Sequence, residues 1–316
     1  MTRRNEVYSP ERFTIDLVDF REPIDTWKPR IADRGRRRHL SYTLDFDTRA
    51  VLLEQEPGPG WSEETTRLHL ENREKVRQGL AAHFGGQALE RKVADFVAIK
   101  SKPFSVLAYH NQLFEQVRGA FVLGAYYPAL VGACALGERI LNHLILDLRG
   151  AFTHTPEYKH VYRKDSFDDW RVPIDTLAAW GVLVPEAVTE FRALMALRHR
   201  SIHFNVSTYA TLRDDALAAI LHLRQIIEVQ FGTFGLKPWL IPGTAGLMFI
   251  CKSWEDHPFI RAYHARSCPF VGPYVAISFE QGLQYFDHHD YGDGDWSDEE
   301  FAAVYSAREP GHLAAS

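Results

Sequence analysis

The stretch VLVPEAVTEFRALMALRHRSIHF (182–204) runs from an apolar segment into a cluster of basic side chains. Pro185 is a residue type favoured in the first turn of a helix, and apolar residues recur after it with helical spacing. Four basic or titratable side chains then fall close together: Arg198, His199, Arg200 and His203. Asn205 and the β-branched residues around it do not prolong a helix. The pattern therefore predicts a helix from Pro185 to about His203 with a cationic C-terminal end.

The composition is that of a globular chain with a sizeable core. Of its 316 residues, 46% are hydrophobic and 24% are charged. The formal net charge of −5 argues against a protein that coats nucleic acid by bulk charge, so any such contact needs a local basic patch. The three cysteines are far apart and odd in number, which predicts no disulfide framework and suits a reducing compartment. We therefore expect a cytoplasmic protein.

One uncharged segment, residues 119–137, has nearly the length of a membrane-spanning helix. Pro128 and four glycines lie within it, and charged residues crowd both of its ends. The first residues, MTRRNEVYSPERF, lack the apolar stretch of a signal peptide. These features favour a core helix, and we expect no contact with a membrane.

The patterns predict an α+β, mainly α, fold in three segments. These are a small N-terminal β-rich segment (1–60), a central helical bundle (61–233) and a small mixed C-terminal module (234–316). In the first segment, LSYTLDF (40–46) alternates apolar and polar residues, and AVLLEQ (50–55) is its expected hairpin partner. FTIDLVDF (13–20) is a candidate third strand. In the last segment, strands are expected within GLMFI (246–250) and YVAISF (274–279).

Local end signals position several helices of the bundle. Ser62 is a helix-capping residue type and is expected to open a helix that runs to about His83. Gly181 is expected to stop the short helix that begins near DWRVP. In a helix expected over about 125–149, small residues recur at every fourth position: Ala125, Ala129, Ala133 and Gly137. Such a row lets another helix approach closely, either within the bundle or across a dimer seam.

No motif indicates a dinucleotide enzyme, a phosphate-binding loop, a hydrolase elbow or a metal centre. Four side chains have the donor types of a zinc site but lack its tight spacing: Cys251, His257, His264 and Cys268. Buried cysteines and surface histidines are the favoured interpretation. The acidic residues over 290–298 lack the ligand order of a calcium loop, and Ser297 with Glu300 predicts a helix-capping box instead. We expect no metal ion and no cofactor.

Three consecutive arginines form a local concentration of positive charge in a negatively charged chain: Arg36, Arg37 and Arg38. The ordinary interpretation of such a run is a solvated loop. Contact with an RNA backbone is the functional alternative. We therefore assign these three residues, together with Arg200, as candidate RNA-binding residues.

The end of the 182–204 stretch resembles a known motif. Arg198, followed after four residues by His203, resembles the Arg-x4-His motif of the HEPN superfamily. The second position of that motif is usually Asn, Asp or His, and here it is His199. The segment YYPALVGACALGERILNHLI (126–145) is similar to the family's second core helix, in which a Glu is often found, and Glu138 holds that place. The resemblance covers about residues 105–232.

The resemblance implies a helical bundle that dimerises with two such motifs facing each other. Many members are metal-independent endoribonucleases of toxin–antitoxin, phage-defence or RNA-processing systems. For this chain it implies cleavage of single-stranded RNA by 2′-hydroxyl attack, with His203 as the acid–base group and Arg198 as the phosphate clamp. His199 would orient the site or transfer a second proton, and Glu138 would support it. The expected partners are RNA, a second copy of the chain, and an antitoxin or neighbouring-gene protein.

Three interpretations of the motif stay open. The first is an endoribonuclease that acts as a toxin or defence effector, and the retention of both Arg198 and His203 favours it. The second is a non-catalytic HEPN adaptor that binds nucleotide or RNA or scaffolds an assembly. The third is a helix end whose cations only complement the helix dipole.

Overall fold

A computed structural model of the protein describes residues 34–41, 43, 45–106, 108–201, 208–265, 268–278, 284–287 and 289–308. The chain folds into two compact units. The helical unit comprises Thr43–Gly232, and the mixed unit combines the described residues before Thr43 with the described residues from Thr233 onward. The protein is mainly helical with small antiparallel sheets, which confirms the coarse prediction of an α+β, mainly α, fold.

The helical unit is built from α1 (Arg49–Glu54), α2 (Glu63–Phe84), α3 (Leu89–Ala98), α4 (Ala108–Val122), α5 (Tyr126–Leu148), α6 (Tyr158–Val161), α7 (Arg171–Ala179), α8 (Pro185–Ser201) and α9 (Thr208–Phe231). The helix ends predicted from local sequence signals are observed. Ser62 is the N-cap of α2, and its side chain accepts a hydrogen bond from the backbone of Thr65. Gly181 follows α7 in the left-handed conformation, with φ +67°. Pro185 is the first residue of α8, as predicted.

Helix α5 lies at the centre of the helical unit and contacts α4, α7, α8 and α9. Its inward face is apolar along its whole length, with buried residues from Ala129 to Leu148. Each leucine or isoleucine that is fully buried there stabilises the fold by about 1.5–3 kcal/mol. This packing holds α5 and α8 side by side, so that residues distant in sequence meet between them.

The row of small residues on α5 packs against other parts of the helical unit. Ala129 and Ala133 are fully buried. A Cβ atom on Gly137 would lie 2.7 Å from Leu194 Cδ2 and 3.0 Å from Trp170 Cη2. Only glycine therefore fits where these two side chains contact α5. The buried part of the row therefore packs the helical unit, and the alternative that it forms a dimer seam is wrong for these positions.

Among the described residues, one helical stretch, Tyr126–Phe152, is long and apolar enough to cross a membrane by length and composition alone. Of its most apolar part, 56% is buried inside the structure. A buried core helix of this kind passes the same test of length and composition as a membrane-spanning helix.

The mixed unit contains β1 (Arg38–Ser41), β2 (Met248–Phe249), β3 (Phe270–Val271), β4 (Ala276–Ser278), β5 (Gln284–Phe286) and α10 (Asp298–Ala307). Strand β1 is the middle strand of an antiparallel sheet in the order β2-β1-β3, and β4 pairs with β5 in a second sheet. Strands β2 and β4 lie within the two stretches predicted to be strands. Helix α10 opens with the predicted capping box of Ser297 and Glu300.

The N-terminal predictions need correction. The strand expected over 40–46 is β1, which ends at Ser41 and is buried at all four positions instead of alternating. The AVLLEQ stretch is helix α1, because Ala50 and Leu53 bury one helical face. The boundary expected after residue 60 falls after Tyr42, since β1 pairs with strands far along the chain. FTIDLVDF (13–20) lies outside the described residues.

Candidate functional site

Helix α8 carries Arg198 where it packs beside α5. Nη2 of Arg198 lies 3.0 Å from Oε2 of Glu138, and about a quarter of each side chain is exposed, 25% for Arg198 and 26% for Glu138. An ion pair that is largely withdrawn from water is stronger than an exposed one and is less screened by salt. The structure thus brings together two of the residues that the sequence singled out.

Trp170 completes this cluster and was missed by the sequence analysis. Its indole N–H donates a hydrogen bond to Oε2 of Glu138 at 3.0 Å. The guanidinium carbon of Arg198 lies 5.6 Å from the centroid of the same ring, within the range of a cation–π contact. Trp170 is fully buried immediately before α7. No motif marks a tryptophan at this position, so the sequence offered no signal for its contact with Glu138.

Arg200 lies in the last turn of α8 and donates a hydrogen bond to a residue of α9. Its Nη2 donates to Oδ1 of Asp215 at 2.7 Å, and Thr211 donates to the other oxygen of that carboxylate. Helix α9 begins at Thr208, so Asp215 lies in its second turn. The Arg200 side chain is 61% exposed, so it remains accessible to an anionic ligand.

The structure describes only one of the two histidines of the motif, His199. His199 is exposed and lies near Asp169, which precedes α7. The pKa of Asp169 is lowered first by hydrogen bonds from Arg171 and to a smaller extent by the charge of His199. His203 lies outside the described residues. The structure therefore describes the arginine of the motif and its second position, and the role of the final histidine rests on the sequence.

The buried thiol beside the cluster is not a candidate nucleophile. Cys134 lies one turn before Glu138 on α5 and is fully buried. Burial raises the pKa of this thiol to about 12, although the charge of Arg198 opposes the shift. The reactive form of cysteine is the thiolate, which this environment disfavours at neutral pH.

A groove of about 700 Å³ lies on the surface between α4 and α5 and reaches Glu138. Its apolar walls include Leu113, Val117 and Leu136, and its polar end includes Arg139 and His143. Behind it, the ring of His110 lies 4.9 Å from that of His143. Burial, and then the charges of His143 and Arg139, lower the pKa of His110 to about 4, so this ring is neutral at physiological pH.

The consecutive arginines at 36–38 are not a solvated loop, and that prediction is wrong. Arg37 is buried and pairs with Asp287, which is also buried. Nε of Arg38 donates to Asp298 Oδ1 at 2.8 Å, and its Nη2 donates to the carbonyl of Trp296 at 2.7 Å. Arg36 lies over the Trp296 ring, 5.0 Å from its centroid. Because these charges are engaged inside the mixed unit, Arg37 and Arg38 are removed from the candidate RNA-binding residues.

The candidate zinc ligands are not gathered into a site. Within the part of the chain that the structure describes, no group of three or more His, Cys, Asp or Glu side chains is placed to hold a metal ion. His264 is fully buried against Trp239 and Phe259, contrary to the expected surface position. Burial lowers its pKa to about 3. Cys268 is buried and Cys251 is partly buried.

Compared with known proteins, the chain matches no family model, no curated protein and no solved structure. The resemblance to the HEPN superfamily therefore stays a prediction from the sequence.

Proposed function

We propose that this chain is an endoribonuclease of the HEPN type, which cleaves single-stranded RNA in the cytoplasm as a toxin or phage-defence effector. The observation that supports this proposal is the Glu138–Arg198 pair at 3.0 Å. The resemblance predicts a glutamate on the second core helix and an arginine in the motif, and these two side chains meet. If the cations of α8 only complemented its helix dipole, there would be no reason for Arg198 to pair with this particular glutamate.

The residues suit the chemistry of RNA cleavage. One base removes the proton of the 2′-hydroxyl, the oxygen attacks the adjacent phosphorus, and the 5′-oxygen leaves with a proton from an acid. His203 is the proposed base and His199 the proposed proton donor, since imidazole titrates near neutral pH. Nη2 of Arg198 lies beside Glu138, and the other N–H groups of Arg198 are proposed to stabilise the charge that develops on phosphate. The products are a 2′,3′-cyclic phosphate and a 5′-hydroxyl.

The direct test compares the cleavage of labelled single-stranded RNA by the wild-type protein, Arg198→Ala and His203→Ala. Cleavage that depends on both residues supports the proposal. Intact RNA after incubation with the wild-type protein contradicts it.

The proposed active form is a homodimer, in which two motifs face each other. Light scattering in dilute solution is expected to give about twice the 36.2 kDa mass of one chain. The buried part of the small-residue row is not available as the interface, so another surface must form it. A monomer at micromolar concentration, in a protein that still cleaves RNA, would contradict a site composed of two motifs.

The proposed mechanism transfers protons and uses no metal ion. EDTA is therefore expected to leave the rate of RNA cleavage unchanged, as measured with and without a molar excess of chelator over protein. Activity that is lost in EDTA and restored by zinc or magnesium would replace this mechanism with a metal-dependent one.

The groove between α4 and α5 favours a second candidate function, a non-catalytic adaptor that binds nucleotide or RNA. Its volume, about 700 Å³, lies in the range of small-ligand sites, with apolar walls and a few convergent polar groups. Titration calorimetry with mononucleotides distinguishes the two candidates. Binding that is weakened by Arg139→Ala, without RNA cleavage by the wild-type protein, would support the adaptor.

A further inference from the structure

Trp170 is the side chain through which the start of α7 contacts the Glu138–Arg198 pair. We propose that Trp170 is a positioning residue of the ribonuclease site, an inference that rests on the function proposed above. Its indole N–H donates to Oε2 of Glu138 at 3.0 Å, and the same oxygen lies 3.0 Å from Nη2 of Arg198. Its ring also faces the guanidinium of Arg198 at 5.6 Å. One side chain therefore contacts both members of the pair.

The packing around Trp170 fixes the direction of its N–H group. The ring is fully buried, and Gly137 makes room for it, because a Cβ atom there would lie 3.0 Å from Trp170 Cη2. Gly137 immediately precedes Glu138 on α5, so the residue that admits the ring adjoins the residue that the ring bonds. An indole N–H can only donate, so the bond requires an acceptor such as the carboxylate.

The shared oxygen determines how much of Arg198 remains available. Arginine and carboxylate groups prefer a two-pronged contact, in which both oxygens bond two guanidinium nitrogens. Here the indole anchors Glu138 through Oε2, and the same oxygen lies 3.0 Å from Nη2 of Arg198. In the proposed site, the other N–H groups of Arg198 bind a phosphate oxygen. Without the indole bond, Glu138 would turn and engage Arg198 more completely, in competition with the substrate.

The test is the Trp170→Phe variant, which keeps an aromatic ring at this buried position, removes the N–H donor and leaves a small cavity where part of the indole lay. We expect kcat to fall by about 10–100-fold, the range produced by small misplacements of catalytic groups. KM for RNA should change little, since no contact with the RNA backbone is removed. Trp180→Phe is the matched control, because Trp180 follows the other end of α7 and its N–H donates to Thr155 Oγ1 at 2.8 Å, away from Arg198.

A second measurement separates positioning from packing. In a Glu138→Ala background, Trp170→Phe should cause no further loss of kcat, because Trp170 acts through Glu138. A purely structural role would make the two losses multiply. Equal kcat for wild type and Trp170→Phe, or equal losses in the Trp170→Phe and Trp180→Phe variants, would overturn this inference and leave the ribonuclease proposal standing. A wild-type protein that leaves RNA intact would overturn the proposed function itself, and this role with it.

Discussion

Arg198→Ala is expected to lower the rate of RNA cleavage by about 10²–10³-fold, and His203→Ala by about 10²–10⁴-fold. The first change removes a preorganised donor from the charge that develops on phosphate. The second removes the group proposed to take the 2′-hydroxyl proton. A DNA strand of the same sequence should resist the wild-type protein, because it lacks the attacking hydroxyl. The measurement is single-turnover cleavage of labelled RNA, with the products assayed for a 2′,3′-cyclic phosphate.

Arg192→Ala is the matched control for the change at Arg198. Arg192 lies on the same helix and also pairs with a carboxylate, Asp175 at 2.9 Å, but both of these side chains are more than half exposed. Its loss should leave cleavage unchanged. Arg198→Ala should still fold, because Glu138 keeps the indole hydrogen bond and partial access to water. Full cleavage by both the Arg198→Ala and His203→Ala variants would assign the activity to another site or to a contaminating nuclease.

Arg198→Lys refines the same test. Lysine keeps the positive charge but lacks the planar fork that lets arginine bond Glu138 and a phosphate oxygen together. If the fork matters, Arg198→Lys should cleave little faster than Arg198→Ala. Near wild-type activity in the lysine variant would mean that charge alone is sufficient, and that the geometry set by Glu138 and Trp170 is not needed.

The helices of the helical unit were predictable because their signals are local. The cap at Ser62, the first-turn Pro185 and the terminating Gly181 lie next to the ends that they determine. The uncharged segment likewise predicted a core helix, and the range expected for it, about 125–149, is close to that of α5. The pairing of Glu138 with Arg198 needed the resemblance as well, since nothing within either helix indicates the other.

The errors at the arginine run and at the unit boundary, and the omission of Trp170, share a physical cause, which is pairing between distant residues. A run of arginines is ordinarily solvated, but Arg37 and Arg38 have buried or half-buried acidic partners about 250 positions later in the chain. The same long-range pairing moved the unit boundary, because β1 completes a sheet with β2 and β3. The contact of Trp170 with Glu138 is of this type too, and only the packing of α5 against α7 reveals it.

Asp287→Ala is expected to destabilise the mixed unit by about 3–5 kcal/mol, the usual cost of leaving a buried charge without its partner. Asp287 is fully buried and pairs with Arg37, which is also fully buried. The carboxylate accepts two further hydrogen bonds, from the backbone N–H of Gly272 at 2.8 Å and from the Tyr291 hydroxyl at 2.7 Å. Burial, and then the negative charge of Asp287, raise the pKa of Tyr291, so that its hydroxyl stays protonated and donates. The measurement is urea denaturation followed by tryptophan fluorescence.

Two companion variants show whether the loss comes from the unpaired charge. Asp293→Ala removes an exposed carboxylate from the same acidic segment and should change stability by no more than about 0.5 kcal/mol. Adding Arg37→Met to Asp287→Ala should recover part of the lost stability, because it removes the charge that the first change left buried. Recovery should be incomplete, since Gly272 and Tyr291 still lack their acceptor. If the double variant is less stable than Asp287→Ala alone, Arg37 contributes through its hydrophobic stem or its bond to the His289 carbonyl, and the ion pair does not carry the stability.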